Sequence, residues 1–177
     1  MVRVSTMNVR SLHQHHQDLQ EDKFIMISDI IAVQETWLEE DPVSFVNTFP
    51  HQYFVHGRSK GVALFTRDQP RMVSRVQTNF CSVIVAEFEK FYLINVYRFC
   101  NSNILKFSEE IIKMLKPNKT QVLVRDINID LLKHPDNPFS KEMVRHNFRQ
   151  MVTSPTHLQV HTLFHNDVNY IVSLSHT

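Results

Sequence analysis

Short apolar runs that end abruptly in polar residues are the feature that most restricts the fold of this chain. The valine, leucine and valine of residues 122–124 are followed by Asp126 and Asn128, and the apolar run at residues 30–33 is followed by Glu35. In an open α/β sheet, ligands bind beyond the carboxyl ends of the strands. These polar side chains are therefore placed to act on a ligand.

Helical patterns lie between such strands. Helices are predicted over about residues 16–27, over 104–115 up to the stop at Pro117, and from Asn137 and Pro138 onward, with a short one beginning at Pro42. Further strands are predicted at residues 2–5, 53–55, 62–65, 82–88, 91–96 and 170–172. Alternation of strand and helix predicts an α/β domain with parallel strand pairs.

The composition excludes several classes of protein. The 177 residues, 42% hydrophobic and 21% charged, are typical of one folded domain, here expected to span residues 1–177. No apolar run is long enough to cross a membrane and no secretory leader is evident, which favours an intracellular protein, with the nucleus as one candidate compartment. A formal charge of +1 gives no general attraction to nucleic acid, so any such contact must be local.

Glycine and cysteine are both scarce. The chain has two glycines, Gly57 and Gly61, where average usage would give roughly twelve. Turns with positive φ must therefore use other residues. The two cysteines, Cys81 and Cys100, allow at most one disulfide and do not form a metal-binding spacing.

Oxygen-bearing side chains at the predicted strand ends suggest a metal and phosphate site. Glu35 is the best candidate ligand for a hard divalent cation, with Asn8 beside it at the end of the first strand. Asp126 is suited to orient or deprotonate a water, and Asn128 to donate to a phosphoryl oxygen. Tyr97 could bind a phosphate through its hydroxyl. The alternative is that these residues only cap strands in polar loops.

Other polar residues give weaker signals. Arg98 could contact a phosphate or be solvated, and solvated faces also account for the remaining scattered cations at positions 67, 71, 75, 116, 119 and 125. The histidines at 13, 15 and 16 do not fit a zinc site. No single histidine among those at 157, 161, 165 and 176 can be chosen from spacing alone.

Six segments, taken in order, resemble the endonuclease/exonuclease/phosphatase superfamily, and within it the endonuclease domains of retrotransposons and related mobile elements. They are residues 8–12, 34–38, 61–63, 94–98, 122–130 and 154–157. The last, Ser-Pro-Thr-His, is characteristic of the mobile-element branch. Each segment is weak evidence by itself, and their order along nearly the whole chain makes the resemblance specific.

The resemblance implies a four-layer α/β sandwich, with two mixed β-sheets face to face flanked by helices. It also implies hydrolysis of phosphodiester bonds in DNA with Mg²⁺ or Mn²⁺, and no small-molecule cofactor. By position, Asn8 and Glu35 are similar to the metal pair and Tyr97 to the phosphate-contacting tyrosine. Asp126 is similar to the residue that activates water, and Asn128 to its partner in orienting the phosphate.

Several motif positions depart from the family. Arg125 replaces the glycine before the catalytic aspartate, which puts a long cation where close approach or unusual backbone geometry is expected. The terminal Ser-Asp-His reads Ser175-His176, so His176 is the candidate catalytic histidine but lacks its aspartate. Near residue 165, or at Asn169 in another register, the other family aspartate is also missing. The chain stops at residue 177, so the fold is expected to be truncated at its C-terminus.

Three hypotheses follow. The first is a metal-dependent phosphodiesterase that acts as a DNA endonuclease. The alternative is a noncatalytic remnant of a mobile-element endonuclease that retains the fold and weak binding of nucleic acid or protein. A phosphatase or RNA-directed member of the superfamily is a third hypothesis, against which the segment 154–157 argues.

Overall fold

The computed structural model of the chain describes residues 2–40, 48–116, 119–129 and 134–151, together with the backbone of two strands at 160–163 and 169–173. The elements are, in chain order, β1 (Val2–Asn8), α1 (Leu12–Glu21), α2 (Lys23–Met26), β2 (Ile30–Gln34), β3 (His51–Val55), β4 (Val62–Thr66), β5 (Met72–Gln77), β6 (Cys81–Glu87), β7 (Tyr92–Arg98), α3 (Ile104–Met114), β8 (Gln121–Asp126), α4 (Pro138–Arg145), β9 (Phe148–Gln150), β10 (Val160–Leu163) and β11 (Asn169–Ser173). Helices lie between β1 and β2, between β7 and β8, and between β8 and β9, whereas β3 to β7 follow one another with no described helix between them. The mixture of strands and helices confirms the α/β class.

The strands form two mixed sheets. The first has the order β10-β1-β2-β4-β3 and the second has the order β5-β6-β7-β8-β11-β9. β1 and β2 are parallel and are joined by the crossover helices α1 and α2, while β7 and β8 are parallel and are joined by α3. β6 and β7 form the predicted antiparallel hairpin.

Three apolar clusters separate four layers. The cluster between the sheets contains Ala32 and Leu64 of the first sheet and Leu93 and Val124 of the second. On the outer face of the first sheet, α1 packs through Leu12 and its neighbours. On the outer face of the second sheet, α3 and α4 pack through the buried rings of Phe107 and Phe139. Because side chains alternate along a strand, each sheet is apolar on both faces. The four-layer sandwich is confirmed.

Two details of the predicted elements are wrong. The predicted helix at 16–27 is two helices that begin at Leu12 and break at Asp22, whose carboxylate caps α2 by accepting from Phe24 N at 2.8 Å. Phe24 and Ile27 are 70% and 56% exposed and are not core residues. The helix predicted from Asn137 and Pro138 onward was expected to include Phe148, but it ends at Arg145, and Phe148 lies on β9.

Three strands, β5, β9 and β10, escape prediction. β5 is an edge strand whose half-buried residues, Val73 and Val76, do not alternate regularly with exposed ones. β9 has three residues and β10 has four, which are too few to show the alternation of apolar and polar residues that predicts a strand. The predicted helix at Pro42 lies outside the described residues. Within the part of the chain that is described, no helix has the length and hydropathy needed to cross a membrane.

The strand directions bring four strand ends to one edge of the sandwich. Asn8 of β1 is the register partner of Gln34 of β2, and Tyr97 of β7 is the partner of Asp126 of β8. All four residues lie at the carboxyl ends of parallel strands. This edge therefore carries the candidate site.

Candidate active site

The side chain of Asn8 connects the two sheets at this edge. Its Nδ2 donates to Oε1 of Glu35 at 2.8 Å and to Oδ2 of Asp126 at 2.6 Å. Asn8 ends β1 of the first sheet, Glu35 directly follows β2 of the same sheet, and Asp126 ends β8 of the second sheet. One amide nitrogen thus contacts both candidate carboxylates, and the structure brings together three residues that the sequence placed at separate strand ends.

Glu35 reaches Asn8 through an unusual backbone conformation. Gln34 points between the sheets, so strand alternation would send Glu35 to the opposite face. Glu35 has φ +54°, a left-handed conformation that breaks the alternation. Its carbonyl accepts from Ser11 N at 2.9 Å, which holds the turn, and the residue is 9% exposed.

Asp126 and Asn128 form a tight turn after β8. Asn128 N donates to Oδ1 of Asp126 at 3.0 Å, and Asn128 Nδ2 donates to the carbonyl of Arg98 at 2.8 Å. Asp126 is fully buried, and both of its carboxylate oxygens accept hydrogen bonds. Asn128 has φ +53°. This turn fixes the direction of the Asp126 carboxylate.

Left-handed backbone conformations are concentrated around the site. Among the described non-glycine residues, seven have positive φ, and five of these lie in the segments that carry the candidate residues: Arg10, Ser11, Glu35, Trp37 and Asn128. Such conformations store strain that the surrounding structure must maintain, and they cluster at functional sites. They also show how a chain with two glycines makes its tight turns.

Tyr97 supplies a protonated hydroxyl beside Glu35. Its side chain is 3% exposed, and burial, followed by the negative charge of Glu35, raises its pKa well above the ordinary value of 10. The nearby Asn128 side chain acts on this pKa in the opposite direction. The hydroxyl also lies 3.8 Å from Sγ of the free, exposed Cys100. Tyr97 is therefore a hydrogen-bond donor at any physiological pH.

A buried polar layer lies directly below these residues and was missed by sequence reasoning. Gln34 Nε2 donates to Oδ1 of Asn95 at 2.6 Å, and Asn95 Nδ2 donates to the carbonyl of Ala63 at 2.8 Å. Thr6 bonds the Gln34 amide at 3.2–3.3 Å. Gln34 and Asn95 are fully buried. In the sequence, each of them is a polar residue in an otherwise apolar strand. Gln34 lies one position before Glu35, and Asn95 lies two positions before Tyr97.

Arg98 is neither solvated nor free to meet a phosphate. It is 7% exposed, and its guanidinium donates to the carbonyls of Ile127 at 2.7 Å and Ser102 at 2.5 Å. Burial lowers its pKa. Arg98 thus joins the turn that carries Asn128 to the loop after β7.

Arg125 points away from the site, contrary to both sequence interpretations of this residue. Strand alternation places Asp126 on the inner face and Arg125 on the outer face of β8. The Arg125 guanidinium is buried under α4, 4.7 Å from the Phe139 ring centroid, and donates to Oε1 of Gln150 at 3.0 Å. Its Nε and Nη1 have no hydrogen-bond partner among the described residues. Arg125 is not one of the residues with positive φ, so replacing glycine has not distorted the strand.

The donor set suits a divalent cation of the Mg²⁺ type. Glu35 is nearly buried, and among the described residues no basic side chain pairs with it. Carboxylate and amide oxygens, completed by water, are the ligands that Mg²⁺ prefers. The described residues contain no cluster of three or more histidine, cysteine or acidic side chains that could hold a metal. A metal here would therefore keep several waters.

Other candidate residues fall outside this description. His176 and residues 154–157 lie beyond the described residues, and the side chain of Asn169 is not described either. Cys81 and Cys100 are free thiols, so the one possible disulfide is not formed.

Comparison with known proteins extends this description. No protein-family model matches the sequence, and no curated protein matches it. Solved structures do match. NExo, a 3′–5′ exonuclease from Neisseria meningitidis, has a TM-score of 0.52 and 22% identity over 72% of this chain and 58% of NExo. The chain thus spans less than two thirds of that protein.

Two other solved structures agree. The catalytic domain of Xenopus laevis APE2 has a TM-score of 0.58 and 14% identity, with 84% of this chain and 68% of that one covered. The endonuclease domain of TRAS1, a telomere-specific non-LTR retrotransposon, has a TM-score of 0.52 and 15% identity, with 82% and 68% covered. At these identities the similarity concerns the fold. The chain has the fold of the endonuclease/exonuclease/phosphatase superfamily.

Proposed function

We propose that this chain is a metal-dependent DNA endonuclease of the mobile-element type, which hydrolyses phosphodiester bonds with an activated water. The observation that carries the proposal is the contact of the Asn8 amide with both Glu35 and Asp126, at 2.8 and 2.6 Å. Two buried or nearly buried carboxylates from different sheets converge there, and such an arrangement has a desolvation cost that favours a ligand role over a structural one.

The structural neighbours support the choice of substrate. One of them is a Neisseria 3′ phosphatase, NExo, in complex with a product DNA hairpin, and another is the endonuclease domain of a retrotransposon. The Glu35 carboxylate and the side-chain oxygen of Asn8 would hold Mg²⁺ or Mn²⁺. When bound, such an ion supplies Lewis-acid stabilisation of the charge that develops on the phosphoryl group.

The remaining groups divide between proton transfer and binding of the phosphate. Asp126, fixed by Asn8 and by the Asn128 backbone, accepts the proton of the attacking water. Tyr97 and Asn128 are neighbours and offer an O–H and an N–H donor for one non-bridging oxygen. Tyr97 can play this part because its raised pKa keeps the hydroxyl protonated. The role of His176 remains a prediction from the resemblance.

Nicking of supercoiled plasmid tests the proposal directly. We expect the wild type to nick DNA with Mg²⁺ or Mn²⁺ and not with EDTA, and Glu35→Gln and Asp126→Asn to lose about a hundredfold or more of the rate. Glu109→Gln, on the exposed side of α3, is the matched control and should retain full activity. Equal background nicking by the wild type and both site variants would refute the endonuclease.

Calorimetry separates the metal site from catalysis. We expect millimolar Mg²⁺ or Mn²⁺ to bind the wild type with measurable heat and Glu35→Gln to bind more weakly, because the ion loses its charged ligand. If neither ion gave any heat with the wild type, the assignment of Glu35 and Asn8 would be wrong.

The second candidate function is a noncatalytic domain that binds nucleic acid or protein weakly. It is favoured by Asn169, which in one of the two registers of the resemblance stands where an aspartate is expected, on a strand adjacent to β8. Arg125 does not add to this case, because its side chain lies under α4. A chain that binds DNA but gives no metal-dependent nicking would support the noncatalytic function.

A further inference from the structure

A polar cleft lies on the same edge of the sandwich as the candidate active site. It has a volume of about 650 Å³ and is lined by residues of three loops, by the last residue of β5 and by one residue of α3. The loops follow β3, precede β6 and follow β7. The register places them at one edge, since Val55 is the partner of Val62 and Cys81 is the partner of Arg98. Clefts of this size accommodate small ligands.

The cleft is connected to the candidate active site by the backbone. Phe99, which lines the cleft, is two residues beyond Tyr97. The carbonyl of Lys60, another lining residue, accepts from Trp37 N at 2.8 Å, and Trp37 is two residues beyond Glu35. The cleft is therefore a neighbour of the site that would hold the reacting phosphate.

The loop that carries Lys60 has a fixed shape. Lys60 N donates to the carbonyl of Gly57 at 2.9 Å. The next residue, Gly61, has φ +97°, and a Cβ there would lie 2.6 Å from Oγ1 of Thr36 and 2.7 Å from the carbonyl of Val55. Only glycine fits this position, so the turn presents Lys60 in one place.

The charge in the cleft is positive. Lys60 Nζ lies 3.9 Å from the centroid of the Phe99 ring, and no carboxylate pairs with it in the described part of the chain. The acidic lining residue, Glu110, is paired with Lys113 at 2.7 Å. An ammonium held on an aromatic face without a counter-ion is suited to an incoming anion.

The rest of the lining suits a nucleobase. Gln77 and Asn79 offer amide donors and acceptors, and Phe80, which is half-buried, offers an aromatic ring. Amides read the edges of unpaired bases, and aromatic rings stack on their faces. A cation that no described carboxylate pairs with, two amides and an aromatic ring together match the phosphate and the base of a single nucleotide.

We propose that this cleft is a subsite for one unpaired nucleotide of a DNA strand, with its phosphate on Lys60 and its base against Phe80, Gln77 and Asn79. The inference rests on the proposed function for the identity of the strand, and it adds a preference for DNA that is single-stranded or locally melted beside the scissile bond. A fully paired duplex cannot place a base in the cleft without unpairing it.

Fluorescence anisotropy with a short labelled single strand tests the subsite without any cleavage. The protein is the full chain carrying Glu35→Gln, in the presence of EDTA. Lys60→Gln should weaken binding about tenfold and reduce the slope of log K against log salt concentration by about one, because one phosphate contact is lost. Lys60→Arg should retain the affinity. Lys106→Gln, on the exposed face of α3, is the matched control and should change neither quantity.

A second variant tests the base contact. Phe80→Leu keeps most of the apolar volume and should weaken single-strand binding about fivefold or more, since it removes a stacking surface. A melting curve checks that it is folded. Binding can also be followed by quenching of the fluorescence of Trp37, the only tryptophan, whose backbone N donates to the carbonyl of Lys60.

The outcomes separate the subsite from the proposed function. Binding that depends on Lys60 and Phe80, without nicking by the wild type, would support the subsite and refute the endonuclease. Metal-dependent nicking together with equal single-strand affinity for Lys60→Gln and Lys106→Gln would overturn the subsite and leave the endonuclease standing. Absence of single-strand binding by the unsubstituted cleft would also overturn the subsite.

Discussion

Replacing Arg125 with methionine should make the protein more stable. The arginine is 1% exposed and has one side-chain hydrogen-bond acceptor, on Gln150, among the described residues. Burial lowers the pKa of its guanidinium to about 9, far below the ordinary value for arginine, and this shift corresponds to a free-energy cost on the order of 5 kcal/mol for keeping the group charged at neutral pH. Methionine has a similar length, needs no hydrogen bond and packs well against the ring of Phe139.

Two favourable contacts offset part of this gain. The hydrogen bond to Gln150 contributes about 1 kcal/mol, and the contact of the guanidinium with Phe139 contributes about 1 kcal/mol. We therefore expect Arg125→Met to raise the free energy of unfolding by about 3 kcal/mol at pH 7, within the range seen when apolar residues replace buried charges. Urea unfolding, followed by far-UV circular dichroism and Trp37 fluorescence, measures this difference.

The stability gained by Arg125→Met should also depend on pH. Because the pKa of Arg125 is lower in the folded than in the unfolded protein, the unfolded state binds more protons in the window that begins at about pH 9 and ends at the ordinary pKa of arginine. The cost is complete below pH 9 and decreases as the pH rises through that window. The stability difference between the variant and the wild type should therefore be constant near neutral pH and become smaller in alkaline solution.

Arg145→Met is the control for this unfolding experiment. Arg145→Met changes an exposed arginine on α4, paired with Glu142, and should alter stability by no more than about 0.5 kcal/mol. If Arg125→Met unfolded at a lower urea concentration than the wild type, the buried guanidinium would be a net stabilising group and the reasoning would be refuted.

Three further predictions follow from the site and its support. Asn95→Leu should lower the free energy of unfolding by about 3 kcal/mol, measured in urea, because it removes one of the two acceptors of the buried Gln34 amide and the donor to the Ala63 carbonyl; an unchanged midpoint would contradict the importance of the polar layer. Gly61→Ala should cost about 2 kcal/mol or more in the same assay, since its Cβ would meet Thr36 at φ +97°; a neutral result would show that the loop can move. Asn128→Gly should change stability by no more than about 1 kcal/mol, because relief of a left-handed residue offsets loss of the hydrogen bond to the Arg98 carbonyl, yet slow plasmid nicking about a hundredfold; full activity would exclude its amide from phosphate binding.

The ends of the central strands were predictable from the sequence. An apolar run fixes where a strand stops, and parallel neighbours bring their carboxyl ends to the same edge. Asn8, Glu35 and Asp126 could therefore be assigned to one place before the structure was known. The details of that place depend on φ at Glu35, which no pattern in a single sequence reveals.

The direction of Arg125 also follows from the sequence. Side chains alternate along a strand, so a residue next to Asp126 must point to the other face when Asp126 points into the site. The partners of Arg98 could not be found in this way. They depend on the distance between two loops that follow different strands, and this is set only when the second sheet is assembled.

The buried polar layer also bears on which parts of this protein can change during evolution. Half of the candidate site belongs to each sheet, and a shift of about one ångström between reacting groups is enough to reduce a rate about a hundredfold. Apolar residues between the sheets can slide and repack, whereas the amides of Gln34 and Asn95, in contact at 2.6 Å, fix how far one sheet can move over the other. The outer faces can therefore accumulate substitutions, a buried arginine among them, while the two halves of the site keep their alignment.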